Sequence, residues 1–104
     1  MPPEPSRITR PQLQVYAALA SDGRGWLTHA DLEQRTEGLA PRTVRAATLT
    51  LVRAGVVEQA PVVWPTRYRL VANLPPGSPG RAHCDRLRQA AKVLGVDLPA
   101  GRHH

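Results

Sequence analysis

Apolar side chains recur along the first part of the chain at helical spacing. A first helix is predicted from apolar residues three and four positions apart, namely Leu13, Tyr16, Ala17 and Ala20. It begins near Pro11, because a proline without an N–H suits the first turn of a helix, and it ends near Gly23. Residues 1–8 hold three prolines and no periodicity, which predicts a disordered arm.

Capping and stop signals define two further helices. Thr28 followed by Asp31 has the form of a capping box and begins a short helix that ends at Gly38. Pro41 begins a third helix, which Gly55 ends. The chain therefore starts with three short helices joined by tight connections.

The spacing of apolar residues then changes from a helical period to the alternation typical of strands. Residues 56–60 and 66–71 are predicted to form a hairpin, and the prolines in 61–65 make its tip a loop. In the second strand one face is apolar and the other cationic, with Tyr68 and Leu70 opposite Arg67 and Arg69. Residues 25–27 are too short for an independent strand but can pair with the hairpin as a single rung.

The last part of the chain predicts a linker and one more helix. Residues 73–80 have a turn-rich linker composition, and the helix begins at Arg81 and ends at Gly95. Its apolar stripe consists of Cys84, Leu87, Ala91 and Leu94. This stripe either forms a homodimer interface or packs on its own domain. The predicted organisation is an arm over 1–8, a domain over 9–72, a linker over 73–80, a possible dimerisation helix over 81–98 and a tail over 99–104.

Charge is distributed unevenly along the 104 residues. The chain has fourteen Lys and Arg against eight Asp and Glu, a net charge of +6. Residues 41–104 hold ten of these basic residues and only three acids, whereas residues 1–40 carry a net charge of −1. Lys92 is the only lysine. Such an excess of arginine favours a nucleic-acid partner, because guanidinium groups bind phosphate and guanine in bidentate fashion.

The sequence offers little with which to build a catalytic or metal site. A single cysteine, Cys84, excludes a disulfide framework and a multi-cysteine metal cage. Its neighbour His83 would point about 100° away from it on a helix, so the pair does not chelate one ion. We find no Gly-rich phosphate loop and no nucleophile elbow, and we expect no enzyme, cofactor or metal. Without a long apolar segment or a signal peptide, we expect a cytoplasmic protein without membrane association.

The third helix carries a motif that a known family shares. Its sequence, TVRAATLTLVRAGVV over 43–57, resembles the recognition helix of the winged helix-turn-helix superfamily, which includes MarR-like and related bacterial transcriptional regulators. LTHADLE over 27–33 similarly resembles the family's first motif helix. The resemblance covers 9–72 and implies a mainly α fold (α+β) with a small antiparallel hairpin, plus a C-terminal helix. It also implies sequence-specific binding of double-stranded DNA in transcription regulation. A homodimer would then read a pseudo-palindromic site.

The expected DNA-binding residues lie on the outer face of the third helix and on the hairpin. They are Arg42, Thr43, Arg45, Ala46, Leu49, Thr50 and Arg53 on the helix, and Arg67 and Arg69 on the strand. Arg42 and Arg45 are candidates for guanine contacts, and the two threonines for phosphate or base contacts. Leu49 either touches a thymine methyl, meets a second chain, or fills the core space left because Thr48 replaces the family's usual Leu. We favour the last of these.

The hairpin tip supports a different function. It is apolar, with Val62, Val63 and Trp64 where DNA-reading wings often carry Arg or Lys. Trp64 either anchors the tip to the body or is an exposed contact for a protein partner. The alternative function is therefore a winged-helix protein-interaction module in a replication or plasmid/phage assembly. Binding of RNA or single strands is disfavoured, because two Trp, two Tyr and no Phe leave few stacking platforms.

Overall fold

Four helices and three short strands make up the fold. It was obtained as a computed structural model and is described for residues 8–21, 25–60, 64–96 and 98. In chain order the elements are α1 (Arg10–Ser21), β1 (Leu27–Thr28), α2 (His29–Arg35), α3 (Pro41–Arg53), β2 (Val57–Gln59), β3 (Arg67–Leu70) and α4 (Pro79–Leu94). The predicted fold class, mainly α with a small antiparallel sheet and a C-terminal helix, is confirmed.

The sheet joins the start of the domain to the hairpin. Its strand order is β1-β3-β2, and both pairings are antiparallel. Leu27 is opposite Tyr68 on one side of β3, and Gln59 is opposite Tyr68 on the other. The single rung expected from residues 25–27 is therefore present at Leu27–Thr28. Three helices followed by a three-stranded antiparallel sheet are compatible with a winged helix but do not identify one.

Local capping chemistry explains where two helices begin. The Thr28 hydroxyl accepts from the Asp31 N–H at 3.2 Å, and the Asp31 carboxylate accepts from the Thr28 N–H at 3.0 Å, which forms the predicted capping box. At α4 the prediction was two residues late. Ser78 is the cap and accepts from the Arg81 N–H at 3.2 Å, so Pro79 occupies the first turn and the linker is shorter than predicted.

α1 lies at the centre of the core and is buried on most of its circumference. Its Leu13 and Val15 are fully buried, together with Leu32 of α2 and Leu51 of α3. α1 packs against α3, α2 and β3, and it also contacts α4. Ile8, which the sequence assigned to the arm, packs against this core. Residues 1–7 of the arm, residues 99–104 of the tail and the tip residues Val62 and Val63 lie outside the described residues.

α4 covers α1 through a mixture of apolar and polar contacts. The Tyr16 hydroxyl lies 3.2 Å from Cys84 Sγ, and His83 Nε2 lies 3.1 Å from Gln12 Oε1. All four side chains are buried. Because these polar groups are hydrogen-bonded across two helices, they fix the position of α4 on α1 rather than destabilising the core. No helix in the described part of the chain is long and apolar enough to cross a membrane.

Candidate nucleic-acid interface

α3 divides into a buried face and a cationic face. Val44, Ala47, Thr48 and Leu51 are buried. The opposite face exposes three arginines, Arg42, Arg45 and Arg53, together with Ala46. Thr43 and Thr50 are half-buried at its edges. The helix contains no acidic residue, so no acid of α3 itself offsets the positive charge of its outer face.

The N-terminus of α3 adds to this positive potential. Its cap residue, Ala40, makes no side-chain hydrogen bond, and Pro41 follows in the first turn. The first turn holds no acid that would offset the positive end of the helix dipole. Arg42 and Arg45 therefore extend from the end of the helix where an approaching anion is most favoured.

Thr48, rather than Leu49, fills the core position that differs from the family pattern. Thr48 is fully buried, and its hydroxyl donates to the Val44 carbonyl at 2.7 Å, which satisfies the one polar group that the substitution brings into the core. Leu49 is half-buried and is not part of the core cluster. The expectation that Leu49 fills the space left by Thr48 is therefore wrong, because an internally bonded threonine needs no rotation of the helix. At about 100° per residue, Leu49 falls between Arg45 and Arg53, within the cationic face.

One of the two threonines is already engaged. The Thr50 hydroxyl donates to the Ala46 carbonyl at 2.9 Å, so its proton is used within the helix. Thr50 can donate to a phosphate only if this bond breaks. Thr43, in the first turn, is the better placed of the two for a phosphate or base contact.

The two arginines of β3 differ in their surroundings, although both are exposed. The Arg69 Nε donates to Glu58 Oε2 of β2 at 2.9 Å, and its guanidinium lies 4.2 Å from the centre of the Trp26 ring. These contacts link three neighbouring segments across the outer face of the sheet. Arg67 extends from the same face. Arg67 is therefore the more available cation, and Arg69 chiefly holds the outer face of the sheet together.

A histidine that the sequence did not single out lies beside the cationic face. His29 Nε2 is 2.9 Å from the Tyr68 hydroxyl, and the two ring centres are 4.7 Å apart. Burial, and then the positive charge of Arg45, lower the pKa of His29. This histidine is therefore neutral at pH 7 and adds no charge to that of Arg45. No local pattern predicts this pair, because it depends on how β3 aligns with the start of α2, 39 residues away.

The chain has no detected relative. No family model, curated protein or solved structure matches it. The fold and the charge of the described residues are therefore the only basis for assigning a function.

The stripe proposed for a dimer interface is mostly internal. Cys84, Leu87 and Ala91 are buried against the chain's own core, whereas Leu94 is 46% exposed and its neighbour Val93 is 78% exposed. Cys84, Leu87 and Ala91 therefore fit the alternative interpretation, in which this helix packs on its own domain. Those three are unavailable to a second chain while α4 keeps this position. Homodimer formation itself stays a prediction, with Val93 and Leu94 as the exposed apolar residues of this helix.

The end of the hairpin tip is exposed. Trp64 has 90% of its surface accessible, so it does not anchor the tip to the body. The structure therefore agrees with the exposed interpretation of Trp64, and its contact with a protein partner stays a prediction. Within the described residues no group of three or more His, Cys, Asp and Glu side chains is arranged to hold a metal ion.

Proposed function

We propose that this protein binds double-stranded DNA in a sequence-specific manner and acts as a small transcriptional regulator. In this proposal the fold is a winged helix-turn-helix, with α2 and α3 as the motif and the β2–β3 hairpin as the wing. The element order and the three-stranded sheet are compatible with that assignment. α3 enters the major groove with its N-terminal residues at the base edges.

The observation that carries the proposal is the outer face of α3. Arg42, Arg45 and Arg53 are exposed on a helix without acids, and the buried face of the same helix is fully used by the core. A major groove admits an α-helix, and arginine makes bidentate contacts with the guanine O6 and N7 atoms. Solvated surface charges do not need to gather on one helix face, whereas a DNA-binding surface requires such an arrangement.

The structure supports different roles for the individual cations. Arg42 and Arg45 lie in the first two turns of α3 and are the candidates for base contacts. Arg53 and Arg67 are the candidates for phosphate contacts, which orient the protein without reading sequence. Arg69, already bound to Glu58 and stacked on Trp26, is proposed to position the wing.

The test replaces Arg42 and Arg45 together by alanine and measures binding by fluorescence anisotropy. The probes are a random duplex and the DNA flanking the protein's own gene, each over a salt series. Wild type is expected to prefer the flanking DNA, and non-specific binding should fall steeply with salt. Since a good bidentate pair contributes about 1–3 kcal/mol of discrimination, the double variant should lose about 5- to 150-fold of that preference for each contact.

The matched control removes the same charge from another surface. Arg10 and Arg35 are exposed on α1 and α2, and their double alanine variant should keep the preference for flanking DNA. An equal loss of this preference in both variants would show that net charge alone explains the effect. Failure of wild type to bind any duplex at low salt would refute DNA binding altogether.

A second candidate function rests on Trp64. A tryptophan that is 90% exposed at a hairpin tip is a plausible anchor for a protein partner, since such residues are enriched at binding hot spots. In that case the protein is an interaction module in a replication or plasmid/phage assembly. Trp64→Ala would abolish partner binding and leave duplex binding intact, whereas the Arg42 and Arg45 variant would do the opposite.

A further inference from the structure

α4 carries a second set of exposed cations along one side of the helix. Arg81, Arg88 and Lys92 are exposed and form what we call the cationic stripe, and Asp85 is the only acid among them. We propose that the cationic stripe binds the phosphate backbone of the same DNA duplex, beyond the base pairs that α3 contacts. This inference rests on the proposed function, and it adds a flanking contact that does not read sequence.

Helical geometry places the three cations on one line. Positions 81, 88 and 92 are seven and four residues apart, so at about 100° per residue they fall within about 40° of each other. The buried face of α4 is fixed, because Cys84, Leu87 and Ala91 are packed against the core. At about 100° per residue the stripe runs along the exposed side of the helix next to this face, with Arg88 about 40° from Cys84. Its length of eleven residues corresponds to about 16 Å.

The start of α4 is held against the end of α3. A Cβ added to Gly80 would lie 2.6 Å from the Gly55 carbonyl oxygen, so the two backbones are in direct contact. Gly55 follows α3 by two residues, and Arg53 in the last turn of that helix is exposed. Arg81, the first cation of the stripe, therefore comes one residue after this contact, and Arg53 comes two residues before it. This continuity favours the flank of the same duplex over a separate duplex as the partner.

The three cations differ in how freely they can meet a phosphate. Arg81 donates to the Leu74 carbonyl at 3.4 Å and lies 3.7 Å from the Asp85 carboxylate, which offsets part of its charge. Arg88 lies beside Tyr16 and Cys84, whose proximity raises the pKa of its guanidinium. Lys92, in the last turn, is exposed. Lys92 and Asp85 are therefore the positions at which charge can be changed without touching the core.

Charge complementarity sets the expected length of the contact. A DNA duplex advances about 3.4 Å per base pair and carries a negative charge for about every 1.7 Å of its axis. The stripe, at about 16 Å, therefore corresponds to about five base pairs of flanking duplex. A duplex too short to extend beyond α3 would not engage it.

The experiment measures the salt dependence of binding on two random duplexes, one of about 12 base pairs and one of about 30 base pairs. Lys92→Gln is compared with Lys92→Arg, which keeps the charge. Each lost phosphate contact lowers the slope of log K against log salt by about 0.9, so Lys92→Gln should lower the slope by that amount on the long duplex only. Lys92→Arg should bind as wild type on both.

Two further variants, Asp85→Asn and its control Glu37→Gln, test for a gain of binding. Asp85→Asn removes the acid within the stripe and should raise affinity for the long duplex several-fold at low salt. Glu37→Gln makes the same change in net charge at an exposed position at the end of α2, and it should leave the affinity unchanged. The pair separates a local effect of the stripe from a general effect of net charge.

Three outcomes would overturn the inference. Equal binding by Lys92→Gln and Lys92→Arg on the long duplex would show that the stripe contacts no phosphate. Capture of a second labelled duplex by the DNA-bound protein, lost in Lys92→Gln, would assign the stripe to another duplex. Absence of wild-type binding to any duplex would refute the proposed function as well, whereas either of the first two outcomes, with wild type still bound, would refute the stripe alone.

Discussion

Replacing Gly80 by alanine is expected to destabilise the protein, although alanine is the better helix former. A Cβ at this position would lie 2.6 Å from the Gly55 carbonyl oxygen and 2.9 Å from Leu74 Cδ2. The first neighbour is backbone and cannot turn aside. An ordinary contact begins at 3.4 Å, so the two backbones must separate by about 0.8 Å, the difference between 3.4 and 2.6 Å.

The magnitude follows from two opposing effects. Overpacking of a close contact costs about 1–3 kcal/mol, and the better helix propensity of alanine returns about 0.5–1 kcal/mol. From the middle of these two ranges, the expected net loss in the free energy of unfolding is about 1 kcal/mol. For a domain of this size each kcal/mol corresponds to about 4–8 °C, so the melting temperature should fall by about that amount.

Urea denaturation and thermal unfolding followed by circular dichroism measure this loss. Ala82→Gly, at an exposed position in the same turn of α4, reports the helix propensity alone. Combining Gly80→Ala with Leu74→Ala should restore little, because the carbonyl contact remains. If Gly80→Ala were neutral or stabilising, the close approach between α3 and α4 would be refuted, and with it the continuity of the cationic surface.

Three further predictions concern pH and capping. Burial, followed by the hydrogen bond to Cys84, raises the pKa of Tyr16 to about 12. The free energy of unfolding should therefore fall as pH rises from 10 towards 12, and urea titrations of Tyr16→Phe should show a smaller fall. Burial and then the charge of Arg86 lower the pKa of His83, so the free energy of unfolding should fall as pH drops below 6.5. The fall should be less steep in His83→Gln, and an equal dependence on pH in the two proteins would contradict this. Thr28→Ala should cost about 1 kcal/mol by removing the capping box, and an unchanged urea midpoint would refute that.

The signs of the two pH predictions follow from which state holds the proton more tightly. A tyrosine with a raised pKa stays protonated in the folded state while the unfolded chain ionises above pH 10, so alkali favours unfolding. A histidine with a lowered pKa stays neutral in the folded state while the unfolded chain takes up a proton below pH 6.5, so acid also favours unfolding. His29 has the same sign of shift and adds to the acid effect.

Much of the fold was readable from local patterns. The spacing of Leu13 and Tyr16, the capping box at Thr28 and the proline at the start of α3 each act within a few residues. Such signals do not depend on the rest of the molecule, which is why the helices were found with ends correct to about two residues. The outward orientation of Arg42 and Arg45 followed from the same periodicity.

Other features depend on contacts between distant parts of the chain. The burial of Cys84 against Tyr16 joins residues 68 positions apart, and it turned most of a predicted interface into core. The pairing of Arg69 with Glu58 and Trp26 requires the register of three strands. A single sequence states which residues are apolar or charged, but not which surfaces will cover them.

Thr48 shows the division between the two levels most directly. The resemblance to the winged-helix pattern, which usually has a leucine at this position, marked it as a core position. That Thr48 is fully buried with its hydroxyl bonded to the Val44 carbonyl, while Leu49 stays outside the core cluster, was decided by packing. Periodicity is a property of adjacent residues and can be read along the chain, whereas packing is a property of the whole assembled core, and it is decided only when all elements meet.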